Sequence, residues 1–356
     1  MHIPDGYLSP ATCLVTYAIT LPFWYLALQR VKRLLHTRMV PLLAVFSAFS
    51  FVIMMFNLPL PGGTTGHAVG VAVAAIVLGP WAAMVAISIA LLIQAVFFGD
   101  GGITTFAANS LNMAVVGSLV AYWSYSLIAG KAVLASPRRV VAAALAGYLA
   151  VNVAALLTAI EFGIQPMLAQ DATGAPLYAP YPLEIAIPAM MIGHLTIAGI
   201  AELAITGGLV AYLQRANPAL LAFSTASGMP KLAAAGAWQS TRKLWYALAG
   251  LMIMTPLGLL AAGTAWGEWG AEDFGSAEAR QEILAASGHV APPEAAPQGM
   301  ERLASLWTAP IPDYAPSFMH SAGYGYILSA VLGAGLILLL FLLVGKFTTR
   351  QELPET

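Results

Sequence analysis

The chain of 356 residues is short of charge: Asp, Glu, Lys and Arg make up 9% of it, where soluble domains carry about 25%. A single cysteine, Cys13, excludes an internal disulfide and reads as a small residue within an apolar run. No Gly-x-x-x-x-Gly-Lys-Ser/Thr segment is present, so the chain has no phosphate loop of that kind with which to hydrolyse ATP. The His-Glu-x-x-His signature of zinc hydrolases is missing as well, which argues against an intramembrane metalloenzyme. The net charge of -1 says little about partners, and no nucleic-acid partner is expected.

What is abundant is apolar sequence. Hydrophobic residues make up 59% of the chain and the mean hydropathy is +0.79, which together define an all-α polytopic membrane protein of the plasma (inner) membrane. About nine transmembrane helices are expected, over roughly 10–28, 39–56, 67–79, 81–98, 103–125, 140–162, 183–213, 244–263 and 324–344. The first run carries Arg30, Lys32, Arg33 and Arg38 behind it, the reverse of a cleavable signal peptide, so it reads as an uncleaved anchor with Met1 outside. With that orientation and a cytoplasmic C-terminus, all but Arg280 and Arg302 of the 15 Lys and Arg residues fall on the cytoplasmic side. The division expected is a membrane domain over 1–220, a polar cytoplasmic linker over 221–243, and a two-helix part over 244–356 with a long external loop.

Two stretches carry the chemistry. The opening Met1-His2-Ile3-Pro4-Asp5-Gly6 offers a free α-amine, the backbone nitrogen of His2 and its imidazole, which can close two fused chelate rings on one cation, while Pro4 and Asp5-Gly6 fix a turn. Pro61-Gly62-Gly63-Thr64-Thr65-Gly66-His67 supplies a second imidazole. Four nitrogens in a plane suit Ni(II), Cu(II) or low-spin Co(II) better than tetrahedral Zn(II). Asn109 and Asn112, three apart, share a helix face and are candidates, with Asp5, for supporting the histidines. His194 and Glu202 lie in the seventh run, where neither can face lipid; they could be a proton relay, a second ion site, or polar groups satisfied within the bundle. A relay there would make the protein a proton-coupled secondary metal carrier. His289 and His320 in the external loop read as solvated.

MHIPDGYLSP, NLPLPGGTTGHAVG and FFGDGGITTFAANSLNMAVVG, in that order, resemble the metal-specificity subunit of the energy-coupling-factor cobalt and nickel importers, the CbiM/NikM family. The two-helix part resembles the accessory component of the same importers. It departs from the Pro-Asp-Gly-Leu-Glu motif of many relatives, having Thr264-Ala265-Trp266-Gly267-Glu268 there. The resemblance implies a non-enzymatic transporter subunit with Met1, His2 and His67 as metal ligands. Co(II) or Ni(II) would be its transported substrate, with no permanent cofactor. Its implied partners are a membrane coupling subunit and two cytoplasmic ATPase subunits. It further implies that Ala44 and Ala48, a small-xxx-small pair, face the coupling subunit.

Overall fold

A computed structural model of the protein describes residues 1–32, 40–222 and 237–349. The expected basic residues Arg33, Arg38 and Lys231, and most of the 221–243 linker, lie outside the described residues. The apolar helices are α1 (Pro10–Lys32), α2 (Val40–Met54), α3 (Val71–Leu78), α4 (Pro80–Phe98), α5 (Phe106–Ala129), α6 (Pro137–Gly163), α7 (Leu183–Ala216), α8 (Ala237–Met254) and α9 (Ala322–Thr349). Among the described residues seven helical stretches are long and apolar enough to cross a membrane, and α2 is a shorter apolar helix.

The third expected span differs. Of 67–79 only the eight residues of α3 are helical, about 12 Å of rise, and His67 enters it through an antiparallel hairpin that pairs Leu58 with Gly66 and Pro59 with Thr65. Such irregular backbone is tolerated at membrane depth only inside protein. Residues 64–78 are accordingly all buried. The same logic makes α2, buried except at Pro41 and Phe49, a helix apolar on every side. By contrast α1 exposes Leu14, Val15, Ile19 and Leu26, the surface expected of a helix facing lipid.

The loops sort to two ends. At one, Arg30 lies 4.0 Å over the Trp81 ring, Gln214 donates to the carbonyls of Leu134 and Ser136, and Gly345 packs on Val40. At the other, the N-terminal segment, the 57–67 hairpin, the 99–105 loop and the 261–320 loop converge. Tyr7 donates to the Trp269 carbonyl at 2.8 Å and rests against Phe162, which also meets Trp266. A second aromatic group, Phe51, Phe98, Tyr314 and Tyr326, seats the last part of that long loop.

Val40 and Phe51 of α2 meet Gly345 and Gly333 of α9, and Ala44 and Ala48 lie on the stripe between them. Both alanines are wholly buried. Their face is therefore covered within the chain itself.

Candidate metal site

The terminal segment is threaded into the bundle, with Met1, His2 and Ile3 all buried. Asn109 of α5 holds it by a reciprocal pair, accepting from the Ile3 N–H at 2.8 Å and donating to the Ile3 carbonyl at 3.1 Å. That carbonyl also accepts from the Gly102 N–H at 2.9 Å and from the Thr105 hydroxyl. Asp5 ties the following turn down by accepting from the backbone of Ile103 and Thr104 at 3.0 and 2.7 Å. A side chain at position 102 would meet the Asp5 nitrogen at 2.4 Å, so this contact between two backbones requires glycine.

With the segment held there, His2 Nδ1 lies 3.3 Å from His67 Nε2 and 2.8 Å from an Asp100 carboxylate oxygen. Two nitrogens that share an ion at about 2 Å each stand no farther apart than about 4 Å, so this separation is compatible with one ion between the rings. Nδ1 is also the nitrogen of His2 that closes a ring with its own backbone nitrogen. The α-amine of Met1 pairs with Glu268 at 3.0 Å. One ligand atom from each of His2, Asp100 and Glu268 falls within 4.8 Å of the others.

Asp100 is oriented by Gln94, whose amide donates to it at 3.1 Å, and by the Tyr314 hydroxyl. Burial alone would raise the Asp100 carboxyl, but His2, then His67 and the Tyr314 hydrogen bond, outweigh it and hold the group well below the usual carboxylate range. For His67, burial first, then the neighbouring His2 and α-amine, hold the imidazole well below the usual histidine range. It is therefore neutral near pH 7, the form that binds metal. A cavity of about 270 Å³ adjoins the site, lined among others by His67, Asp100, Glu268, Asp313 and Tyr314. Three carboxylates in that lining, Asp100, Glu268 and Asp313, favour cations near the histidines.

The expected residues divide. Met1, His2, His67, Asp5 and Asn109 meet at this end, whereas Asn112 donates instead to Glu161 at 2.7 Å and Thr158 at 3.2 Å. The cause is a π-helical stretch, Ser110–Val116, whose wider turn rotates Asn112 away from the face that Asn109 keeps. His194 and Glu202 do not touch each other: His194 Nδ1 faces the Met190 carbonyl at 2.8 Å, and Glu202 faces the backbone of Val69 and Gly70. His289 and His320 are exposed, and Cys13 is buried with its sulfur 3.9 Å from the Leu8 carbonyl.

Asp100 and Glu268 were not among the expected site residues. The first had a signal, being the only carboxylate between Asp5 and Glu161 and flanked by glycines in an apolar context. The second is the one residue of the Pro-Asp-Gly-Leu-Glu motif that this chain keeps in place, at its last position.

An all-α polytopic membrane bundle with a cluster of side chains that could hold a metal ion at one end is the architecture of a membrane transport protein for such ions. Residues 2–220 match the family described as the CbiM cobalt uptake substrate-specific transmembrane region, and residues 241–350 match the PDGLE domain, so the chain belongs to the CbiM family and carries a PDGLE domain behind it. It is 59% identical over 337 residues to the fused nickel transport protein NikMN of Rhodobacter capsulatus, covering 95% of each chain. To the probable fused nickel transport protein LarMN of Lactiplantibacillus plantarum it is 42% identical over 343 residues, 96% of each. A crystal structure described as a truncated transition metal transporter is 51% identical, with a TM-score of 0.57 over 60% of this chain and 98% of that one.

Proposed function

We propose that the chain is the substrate-capture component of an ATP-driven importer of Ni(II) or Co(II). It binds the ion through the Met1 amine, the His2 backbone nitrogen and Nδ1, and His67 Nε2. The observation that carries this reading is the 3.3 Å approach of His2 Nδ1 to His67 Nε2, two buried imidazoles 65 residues apart in sequence. Carboxylates stand beside these donors: Glu268 pairs with the amine and Asp100 with His2. An arriving cation takes the donors over from these two acids, and the proton of each donor leaves as the nitrogen binds.

The site end faces outward. Supporting this, Arg30, Lys32, Lys131, Arg138, Arg139 and Arg215 gather at the opposite end, as the positive-inside rule requires of the cytoplasmic side, while Arg280 and Arg302 belong to the site-end loop. Lacking a phosphate loop, the chain draws energy from a coupling subunit and two ATPase subunits, the partners implied by the family resemblance. Docking of the coupling subunit on Ala44 and Ala48 requires neighbouring helices to part from α2, because both alanines are wholly buried within the chain.

The test is His67→Ala in protein with its native terminus, with bound metal measured by elemental analysis and the visible spectrum recorded. The variant is expected to insert normally and lose high-affinity metal. Stoichiometric binding with the parent's spectrum would remove His67 from the site.

A further inference from the structure

Glu202 is wholly buried in α7, and every hydrogen bond described at its carboxylate comes from a neutral donor. One oxygen accepts from the backbone N–H of Val69 at 2.7 Å and of Gly70 at 3.0 Å; the other accepts from the Thr206 hydroxyl at 3.2 Å. Val69 and Gly70 are the residues by which the chain passes from His67 into α3. A helix start leaves N–H groups without intrahelical partners, and a Ser, Asp or Asn at the cap position ordinarily accepts from them.

Here that position is Gly70, with φ 73° and no capping side chain. None could be placed there, because a Cβ would lie 2.6 Å from the Phe49 ring. Glu202, from another helix, instead accepts from the N–H of that position and of the residue before it. The opposite side of the same peptide is also held, since the Ser50 hydroxyl donates to the Val69 carbonyl. Two helices, α7 and α2, thus grip the backbone two residues beyond His67.

We propose that Glu202 is a positioning residue for the His67 donor: its carboxylate fixes the 67–70 segment so that His67 Nε2 stands opposite His2 Nδ1. This rests on the metal-binding reading above and deepens it. In this role Glu202 offers acceptor oxygens at a set reach, and its charge is incidental. A proton carrier or an ion ligand at the same place would need the charge, so Glu202→Gln separates these cases and Glu202→Asp tests the reach. Glu202→Gln keeps the length and an oxygen for both N–H groups, while its amide can donate to Thr206. Glu202→Asp keeps the charge but withdraws both oxygens by one methylene.

The experiment measures Ni(II) affinity by competition with a chromophoric chelator, the visible spectrum of the bound ion, and the melting temperature of the metal-free form. It uses the purified full chain with its native terminus. Glu202→Gln is expected to bind within about threefold of the parent and with its spectrum. Glu202→Asp is expected to bind about 10- to 100-fold more weakly, the range in which groups behind a metal ligand act, with an altered spectrum. If Glu202→Asp fails to fold, Ser50→Ala, which frees the other side of the peptide, is expected to weaken binding in the same way.

Parent-like binding by Glu202→Asp or by Ser50→Ala, or loss of binding in Glu202→Gln alone, overturns the proposal. His67→Ala serves as the control. If it binds as the parent does, the metal-site reading itself is wrong; if it fails while Glu202→Asp binds normally, only the positioning role falls.

Discussion

Asn109→Ala removes both halves of the clamp on Ile3 and leaves the metal donors untouched. Ile3 is fully buried, so its N–H loses its acceptor without gaining water, at a cost of about 1–3 kcal/mol. The Ile3 carbonyl keeps its bonds from Gly102 and Thr105, so the loss on that side is at the low end of about 0.5–1.5 kcal/mol. The variant therefore disfavours the docked terminus by about 2 kcal/mol or somewhat more. Only the docked terminus brings His2 to His67, and at about 1.4 kcal/mol per decade the apparent Ni(II) affinity should fall about 30-fold. The assay is titration against a competing chelator, with elemental analysis to confirm stoichiometry. Affinity within twofold of the parent would refute the claim that Asn109 delivers the terminus to the site.

Asp313 lines the cavity with φ 54°, a conformation that Asn adopts readily, so Asp313→Asn removes charge without straining the backbone. It should slow Ni(II) association a few-fold at low salt, with the difference fading at high salt and the equilibrium spectrum unchanged; an association rate insensitive to both counts against electrostatic guidance. Burial holds the His67 imidazole below its unfolded value of about 6.5, so below that pH the unfolded chain takes up a proton that the folded chain refuses. Stability of the metal-free protein should thus be complete above about pH 6.5 and decline as the pH falls below it, whereas the depressed Asp100 carboxyl adds a similar decline only below about pH 4. Thermal melts from pH 5 to 8 check this, and an unaltered acid slope in His67→Gln would count against it.

Much of what the structure gathers at the candidate site could be read from the sequence because its parts announce themselves locally. Met1-His2 offers chelating nitrogens by adjacency, and His67 ends a glycine-rich stretch without charge. Asn109 was legible for the same reason, as a polar residue on an apolar helix. Asn112 went astray because periodicity assumes an α-helix, and the π-helical stretch between the two asparagines changes the angle at which the second projects.

The remaining members come from pairings that no local pattern encodes. Glu268 reaches the amine across 267 residues and Glu202 holds the backbone leading into a helix that begins more than 130 residues earlier. The third span misled for a related reason: the apolar run at 67–79 has the composition of a spanning helix, but its first part is irregular backbone supported by neighbours distant in sequence. The burial of Ala44 and Ala48 within the chain was equally hidden, since small-residue spacing shows that some helix approaches closely without saying which.

The claim at the centre is that the α-amine of Met1 is a metal donor, and it is tested by Ni(II) binding to three forms of the protein. These are the native chain, the chain with one residue added before Met1, and that extended chain after cleavage restores Met1-His2. Adding a residue turns the amine into an amide, breaks the first chelate ring and separates the amine from Glu268. Binding should be present in the native form, lost in the extended form and regained on cleavage, while a tag after Thr356 should leave it unchanged. Undiminished binding by the extended chain, with the native spectrum, would contradict the role given to Met1 and with it the four-nitrogen site.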